Sequence, residues 1–316
     1  MTDTTYQHIL ILFLGVCGLL LALTLFGAAL RARYGRGQDN PVIETYMTRV
    51  HSWWTMVLLF VLALMLGRVG VVLLFAFASF SALREFLTLT YKRQADHIAL
   101  ALAFFAVLPL QYLFVGLGWQ AVYTVFIPVY AFLLLPVVSA LRGDASGFLV
   151  RVAETQWGLM ITVFCASHVP ALLNLGFPDY PADRGLLLIA FLVMVVQFGD
   201  LLDFYFGRRL GRTRIVPGLS PKTWEGASLG VASAALIGGA LAWLTPFPVW
   251  GAMAMAAVAS ATGQAGNLVI AAIKRDRGVR DWSHLIPGQG GFVDQMDSVM
   301  FAAPVFYHLT ALAWAS

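Results

Sequence analysis

The chain has 316 residues, of which 60% are hydrophobic and only 11% are charged, and its formal net charge is +4. Soluble domains carry about 25% charged residues and about 45–50% apolar ones, so the composition excludes an ordinary soluble domain and indicates a polytopic membrane protein. Nucleic acid is not an expected partner of so apolar a chain. Cys17 and Cys165 both fall in apolar segments, so no disulfide framework is predicted.

Apolar segments recur along the whole chain, and several approach the ~20 residues that a helix needs to cross a bilayer. We therefore predict an all-α polytopic integral membrane protein with about ten transmembrane helices. The first segment lacks the basic start and the cleavage site of a signal peptide, so it is predicted to be a retained helix. The predicted segments lie near residues 8–30, 52–67, 69–87, 97–116, 120–141, 153–175, 185–206, 226–245, 249–272 and 297–315.

The basic residues predict the orientation of these helices. Of the 20 lysines and arginines, all except Arg68 and Arg184 fall in alternate loops between the predicted segments. Cytoplasmic loops are enriched in such residues, so we expect both termini on the non-cytoplasmic side. The predicted location is the inner (plasma) membrane, crossed many times, with the basic loops in the cytoplasm.

Two regions are predicted within the chain. Residues 1–150 would form the N-terminal transmembrane helices, and residues 151–316 a C-terminal catalytic transmembrane region with a site that faces the cytoplasm. The two long basic loops of the C-terminal region, 207–225 and 273–296, hold most of the residues with chemical potential.

Two carboxylates stand near the end of the seventh segment. Asp200 and Asp203 are three residues apart, so they share one face of the predicted helix. A carboxylate at this depth is costly and usually faces a cavity or a charged partner. The alternative is an ion pair with Arg208 or Arg209 that simply ends the helix.

A polar turn, Ser220 to Gly226, precedes the eighth segment. Ser220 is predicted to cap the helix, with Pro221 as its first residue; the free amides of a helix start bind anions, and Lys222 adds a positive charge. The alternative is a capped helix start without any ligand.

The richest stretch runs from Asn267 to Asp297. It combines basic residues, a glycine-rich turn that permits close backbone approach, and two carboxylates three residues apart. These groups suit phosphate and Mg2+, and the alternative is a basic juxtamembrane loop followed by a polar helix start. His284 stands alone in this loop as a candidate substrate contact. The groups are Lys274, Arg275, Arg277, Arg280, Gly288, Gly290, Gly291, Asp294 and Asp297.

This stretch resembles the signature of the phosphatidate cytidylyltransferases, also called CDP-diacylglycerol synthases. Asp200 to Gly211 and Ser220 to Gly226 resemble the second conserved region of that family. The departures are Asn267 for an aspartate, Ala271 for a serine, Arg280 for a lysine, Gln289 for a histidine and Gln295 for an arginine. The residues in register are Lys274, Arg275, Asp281, Ser283, Ile286, Pro287, Gly290, Gly291, Asp294 and Asp297.

The resemblance implies transfer of a cytidylyl group from CTP to phosphatidate, with release of pyrophosphate. It implies Mg2+ at Asp294, Asn267 and Asp297, with Asp297 and Asp200 near a second cation or ordering the first, and it suggests a homodimer. Asp294, Asp297, Lys274 and Asp200 would be catalytic. The implied substrate-binding residues are Ser220, Lys222, Thr223, Arg275, Arg280, Asp281, Gln289, Gly290 and Gly291.

Two alternatives remain open. The substitutions at Gln289 and Gln295 allow an enzyme of the same fold that acts on another lipid or alcohol phosphate. A non-catalytic lipid-binding or transport homologue is the other, although transport predicts polar residues deep in several helices, and the first five segments have almost none.

Overall fold

The computed structural model describes residues 3–34, 41–90, 92–178 and 180–315. Within these ranges the chain forms ten long helices and no β-sheet, which confirms the all-α prediction. Three of the helices contain a short π-helical stretch. The helices are α1 (Asp3–Tyr34), α2 (Pro41–Met65), α3 (Gly67–Thr88), α4 (Gln94–Leu117), α5 (Gln120–Ala140), α6 (Phe148–Asn174), α7 (Gly185–Leu210), α8 (Trp224–Ala240), α9 (Val249–Arg277) and α10 (Phe292–Ala313).

Each predicted apolar segment corresponds to one of these helices. Eight of the helices in the described residues are long and apolar enough to cross a bilayer, so the protein is a polytopic membrane protein. The other two are α8 and α10. The 17 residues of α8 span about 26 Å, slightly less than a bilayer core, and α10 carries Asp294 and Asp297 in its first two turns. That these two also cross the membrane stays a prediction.

The break between α2 and α3 is sharp. Gly67, the first residue of α3, has φ of 67°, a left-handed conformation that glycine adopts without the steric cost of a side chain. Only Leu66 lies between the two helices, which confirms the predicted separation of the second and third segments.

The C-terminal helices pack closely together. Helix α7 packs against α8, α9 and α10, helix α9 packs against α8 and α10, and α10 also contacts α3 and α6. Gly226 and Gly230 lie on the face of α8 that meets α7: a Cβ on Gly230 would lie 2.9 Å from the Asp203 Cβ. Small residues at this spacing let two helix backbones approach closely.

Helix α1 is peripheral, whereas α6 is enclosed. Only 11% of the most apolar window of α1 is buried, against 78% for α6. Helix α6 also begins at Phe148 and so crosses the predicted boundary at residue 150. The division into two regions stays a prediction, and residues on both sides of it meet at the site described below.

Candidate active site

The C-terminal ends of α7 and α9 and the N-terminal ends of α8 and α10 meet at one end of the bundle. Asp200 on α7 and Asn267 on α9 each lie ten residues before the end of their helix, or about 15 Å along the axis. Asp297 lies on the second turn of α10. Residues from distant parts of the sequence are thereby brought to a similar depth.

Four polar side chains form what we call the carboxylate cluster: Asp200, Asn267, Asp297 and Ser298. The Asn267 Nδ2 donates to Asp200 Oδ1 at 2.9 Å. The Ser298 hydroxyl contacts Asp200 Oδ2 and lies 2.8 Å from Asn267 Oδ1 and 3.3 Å from Asp297 Oδ1. Ser298 is only 2% exposed, so these oxygens surround one buried point.

Lys222 supplies the positive charge next to the carboxylate cluster. Its Nζ lies 2.6 Å from Asp203 Oδ2 and 3.5 Å from Asp200 Oδ1. The alternative ion pair with Arg208 or Arg209 does not occur among the described residues. Those two guanidinium groups lie over aromatic rings instead, 5.4 and 5.5 Å from the ring centroids of Phe204 and Tyr205 respectively.

The local sequence of α8 explains how Lys222 reaches this position. The predicted cap at Ser220 is wrong: the helix begins at Trp224, and Thr223 caps it, because its Oγ1 accepts a hydrogen bond from the Gly226 N–H at 3.2 Å. Without a side chain at Gly226, the start of α8 packs within contact distance of the α7 backbone at Asp203 and Gly207. A capped start and a close helix contact thus place Lys222 beside the aspartates. The Ser220 hydroxyl accepts from the Lys222 backbone N–H at 3.3 Å, which helps fix this turn.

A second charged pair lies at the start of α10. The Lys274 ammonium donates to Asp294 Oδ1 at 2.7 Å. Asp294 Oδ2 accepts from the backbone N–H groups of Gly291 at 2.9 Å and Trp282 at 3.0 Å. In this structure Asp294 therefore holds Lys274 and the helix start, apart from the carboxylate cluster, and its implied role as a Mg2+ ligand stays a prediction.

Glu85 on α3 is a site residue that the sequence reasoning missed. It is 3% exposed. One carboxylate oxygen accepts from Ser283 Oγ at 2.7 Å and Phe292 N at 3.0 Å, and the other from Val293 N at 3.0 Å. A carboxylate at a helix N-terminus satisfies free amides and opposes the helix dipole. A lone carboxylate in an apolar segment was the signal that could have found it.

The glycine-rich loop, residues 283–291, is held by α2. The Arg49 Nε donates to Gly288 O at 2.9 Å, and the Gln289 Nε2 donates to Arg49 O at 2.9 Å. Ser52 Oγ donates to Pro287 O at 2.8 Å. Gly288 and Gly290 both have positive φ, at 74° and 91°, which allows the tight turn that the sequence predicted.

The two glutamines that depart from the family pattern are part of this structure. The Gln295 Nε2 donates to Gln289 O at 3.0 Å, while the Gln289 side chain reaches Arg49. The Gln197 amide in turn donates to Gln295 O at 3.3 Å. In this chain the two substituted positions therefore tie the glycine-rich loop to α10 and to α2.

The remaining predicted residues are placed less centrally. Both Arg275 Nε and Nη2 donate to Gly218 O, so this side chain ties the α7–α8 loop to α9. Arg280 and Asp281 are exposed and line a small cavity beside Gln289 and Gly290. Their roles as substrate-binding residues stay predictions.

A buried ion network supports the end of α9. Arg277, one of the basic residues predicted to suit phosphate, donates to Glu154 at 2.6 Å and so has a structural role. Lys92, in the loop before α4, lies 3.9 Å from the same carboxylate. Burial lowers the pKa of the Lys92 ammonium, whereas the charge of Glu154 opposes that shift. The network fixes α9, which carries Lys274, against α6.

The oxygens of the carboxylate cluster suit Mg2+. No group of three or more His, Cys, Asp or Glu side chains in the described residues is placed to hold a metal ion. Mg2+, however, is usually held by one or two carboxylates, with water and substrate phosphate as its other ligands. The Asp200 and Asp297 carboxylates and the Asn267 amide oxygen, gathered around Ser298, match that requirement.

The comparisons with known proteins identify the family of the chain. The model of the cytidylyltransferase family matches residues 47–313. The chain is similar to an Escherichia coli (strain K12) protein described as uncharacterized protein YnbB, with 37% identity over 264 residues, 82% of this chain and 85% of that protein. It is also similar to the phosphatidate cytidylyltransferase of Brucella abortus biovar 1 (strain 9-941), with 39% identity over 182 residues, 52% of this chain and 65% of that enzyme.

A third relative is the phosphatidate cytidylyltransferase of Staphylococcus haemolyticus (strain JCSC1435), which is 31% identical over 159 residues. That match covers 49% of this chain and 61% of the enzyme, so the chain spans less than two thirds of both named cytidylyltransferases. The family model nevertheless extends over most of the chain and includes the carboxylate cluster, Lys222 and the glycine-rich loop. The chain belongs to the cytidylyltransferase family.

Proposed function

We propose that this protein is a nucleotidyltransferase of phospholipid biosynthesis that uses CTP and phosphatidate to make CDP-diacylglycerol and pyrophosphate. The observation that carries the proposal is the meeting of Asp200, Asn267 and Asp297 beside Lys222 at one end of a membrane-embedded bundle. Two further findings support it: the match of the cytidylyltransferase family model, and the similarity to two proteins named phosphatidate cytidylyltransferase.

In this reaction the protein itself has little covalent chemistry to perform. A phosphate oxygen of the lipid attacks the α-phosphorus of CTP, and the bond from that phosphorus to the bridging oxygen of pyrophosphate breaks. Catalysis of this kind depends on positioning and on the neutralisation of charge. Lys222 and Lys274, now paired with aspartates, are the cations nearest to the carboxylate cluster and to the start of α10. They would neutralise the phosphates.

Asp200, Asn267 and Asp297 are the residues that would hold Mg2+. The ion, when bound, would supply positive charge to the phosphate oxygens. Asn267 offers an oxygen without charge, so we expect weaker Mg2+ binding than three carboxylates would give. Ser298, which contacts all three side chains, orients them toward one another.

We propose that the site opens to the cytoplasm. The support is the placement of the lysines and arginines, since loops rich in these residues remain cytoplasmic. The same argument supports termini on the non-cytoplasmic side, and the inner-membrane location stays a prediction. A homodimer, implied by resemblance, stays a prediction that light scattering of the purified protein tests.

Another lipid or alcohol phosphate is the second candidate acceptor. The observation that favours it is the use of Gln289 and Gln295 as uncharged loop tethers where the family pattern has a histidine and an arginine. With fewer positive charges beside the loop than in the family pattern, the site would bind a different acceptor phosphate most tightly.

The experiment is an acceptor screen with purified protein, labelled CTP and Mg2+. Phosphatidate is compared with other phosphorylated lipids and alcohol phosphates, and an active phosphatidate cytidylyltransferase runs in parallel. Labelled CDP-diacylglycerol supports the proposal. Product only with another acceptor supports the second candidate, and no product with any acceptor favours a non-catalytic homologue.

A further inference from the structure

A small cavity lies between α2 and the glycine-rich loop. Its volume is about 260 Å³, and Arg49, Arg280, Asp281, His284, Gly288 and Gln289 are among the residues that line it. Sites for whole small molecules are usually about 300–1,000 Å³. This cavity is therefore suited to a charged group of a ligand, with the rest of the ligand outside it.

The cavity has more positive than negative charge. Arg49 and Arg280 face it with one carboxylate, Asp281, and the imidazole of His284. Arg49 donates through Nε to Gly288 O, and among the described residues its two terminal nitrogens have no hydrogen-bond partner. The Arg280 side chain is exposed and has no ion pair or hydrogen bond within the described part of the chain. Two guanidinium groups thus have donors available to a ligand.

The loop holds these groups in place. Three hydrogen bonds join α2 to residues 287–289, from Arg49, Ser52 and Gln289. Gly290, which also lines the cavity, would place a Cβ against the Asp294 carboxylate, so the cavity adjoins the Lys274–Asp294 pair. A ligand group in the cavity would lie next to the rest of the candidate site.

We propose that Arg49 of α2, which lies outside the family signature, is a further substrate-binding residue, and that it holds the phosphate group of a substrate in this cavity together with Arg280, whose role the resemblance already implies. Guanidinium groups bind phosphate oxygens through paired, charge-assisted hydrogen bonds, and a fixed backbone contact through Nε leaves the outer nitrogens of Arg49 for that purpose. The phosphate belongs either to the lipid phosphomonoester or to the nucleotide. The inference rests on the proposed function only for the identity of these substrates.

The test measures binding without turnover. Purified wild-type protein and the variants Arg49→Ala, Arg49→Lys and Arg280→Ala are titrated separately with CTP and with vesicles of phosphatidylcholine containing phosphatidate. Vesicles containing phosphatidylglycerol report general attraction to an anionic surface. Arg84→Ala is the matched control, because Arg84 is an exposed arginine on α3 that does not line the cavity. Ser52→Ala removes a loop tether but no cation.

We expect Arg49→Ala and Arg280→Ala each to weaken binding of one substrate by about tenfold, the loss typical of a charge-assisted hydrogen bond. Arg49→Lys should lose less, and Ser52→Ala should also lose less than Arg49→Ala, because it loosens the loop but leaves both guanidinium groups. Arg84→Ala should stay within about twofold of wild type. The ligand that is affected, CTP or phosphatidate, identifies the source of the phosphate. Thermal unfolding confirms that each variant is folded.

Several results would overturn the inference. The first is unchanged binding of both ligands to the folded Arg49→Ala and Arg280→Ala variants, and the second is no binding of either ligand to wild type. The third is a loss of binding to phosphatidylglycerol vesicles as large as the loss with phosphatidate, or a loss in Arg84→Ala as large as that in Arg49→Ala. The fourth is a loss in Ser52→Ala equal to that in Arg49→Ala. Failure of the proposed function is separate, because a wild-type protein that makes no CDP-diacylglycerol can still show Arg49-dependent phosphate binding.

Discussion

The carboxylate cluster and the glycine-rich loop adjoin one site but are held by different parts of the chain. The cluster lies on α7, α9 and α10, and its side chains bond to one another. The loop depends on Arg49 and Ser52 of α2 and on Glu85 of α3. The C-terminal helices therefore carry the metal-binding candidates, while N-terminal helices hold the loop. Substitutions in the carboxylate cluster and in the residues that hold the loop should therefore impair the protein in different ways.

The largest expected effect is from Asp200→Asn. This change keeps the shape of the side chain but removes a charge from the carboxylate cluster, so turnover should fall by about 10²–10³-fold with little change in folding. Turnover of CTP by purified protein is the measurement. Asp276→Asn, at an aspartate whose side chain is 71% exposed on α9, is the matched control and should retain activity. Equal losses in both variants would contradict a role for the cluster.

Glu85→Ala should destabilise the glycine-rich loop and the start of α10. Without the carboxylate, two backbone amides and the Ser283 hydroxyl lose their buried acceptor, which should cost about 2–3 kcal/mol in the free energy of unfolding. Thermal unfolding in detergent measures the loss, and hydrogen exchange should increase mainly in residues 283–293. Glu44→Ala, which removes an exposed pair with Arg31, should change stability by under about 0.5 kcal/mol. Uniform exchange across the bundle would contradict a local role for Glu85.

Gly230→Ala tests the close contact that positions Lys222. The new Cβ would lie 2.9 Å from the Asp203 Cβ and from Gly199 O, so α8 must move away from α7, at a cost of about 1–3 kcal/mol. Unfolding temperature and CTP turnover should both fall. Gly15→Ala is the control, because no atom lies within 4 Å of the added Cβ. A Gly230→Ala variant as stable and active as this control would show that the close approach is not needed.

Asn267→Asp should have the smallest effect, and it should strengthen Mg2+ binding where the other variants impair the protein. A third carboxylate in the cluster should lower the Mg2+ concentration needed for half-maximal activity and increase the thermal stabilisation that Mg2+ provides. Mg2+ titrations of wild type and variant measure both quantities. If neither titration moves, Asn267 is not part of the metal site.

Hydropathy predicted much of the fold from sequence. The ten apolar segments correspond to ten helices, because long apolar runs must form helices in a bilayer. The helix boundaries were less accurate: α2 begins at Pro41 instead of near residue 52. A hydropathy pattern marks the apolar core of a helix and misses the polar turns that extend beyond it.

The contacts between distant residues were not predictable in this way. Glu85 bonds to residues about 200 positions later, and Arg49 to Gly288, 239 positions later. No local pattern in one sequence encodes such pairs. The family signature located Asp200, Asn267 and Asp297, but their meeting around Ser298 and the pairing of Lys222 with Asp203 depend on how the helices pack.

The central claim is cytidylyl transfer at this site, and coupled product formation tests it most directly. Wild-type protein in phosphatidate-containing vesicles is supplied with labelled CTP and Mg2+, and CDP-diacylglycerol and pyrophosphate are measured together. We expect both products in equal amounts, and we expect Asp200→Asn to lower both by about 10²–10³-fold. Absence of both products from folded wild-type protein, while a phosphatidate cytidylyltransferase in the same vesicles is active, would contradict it.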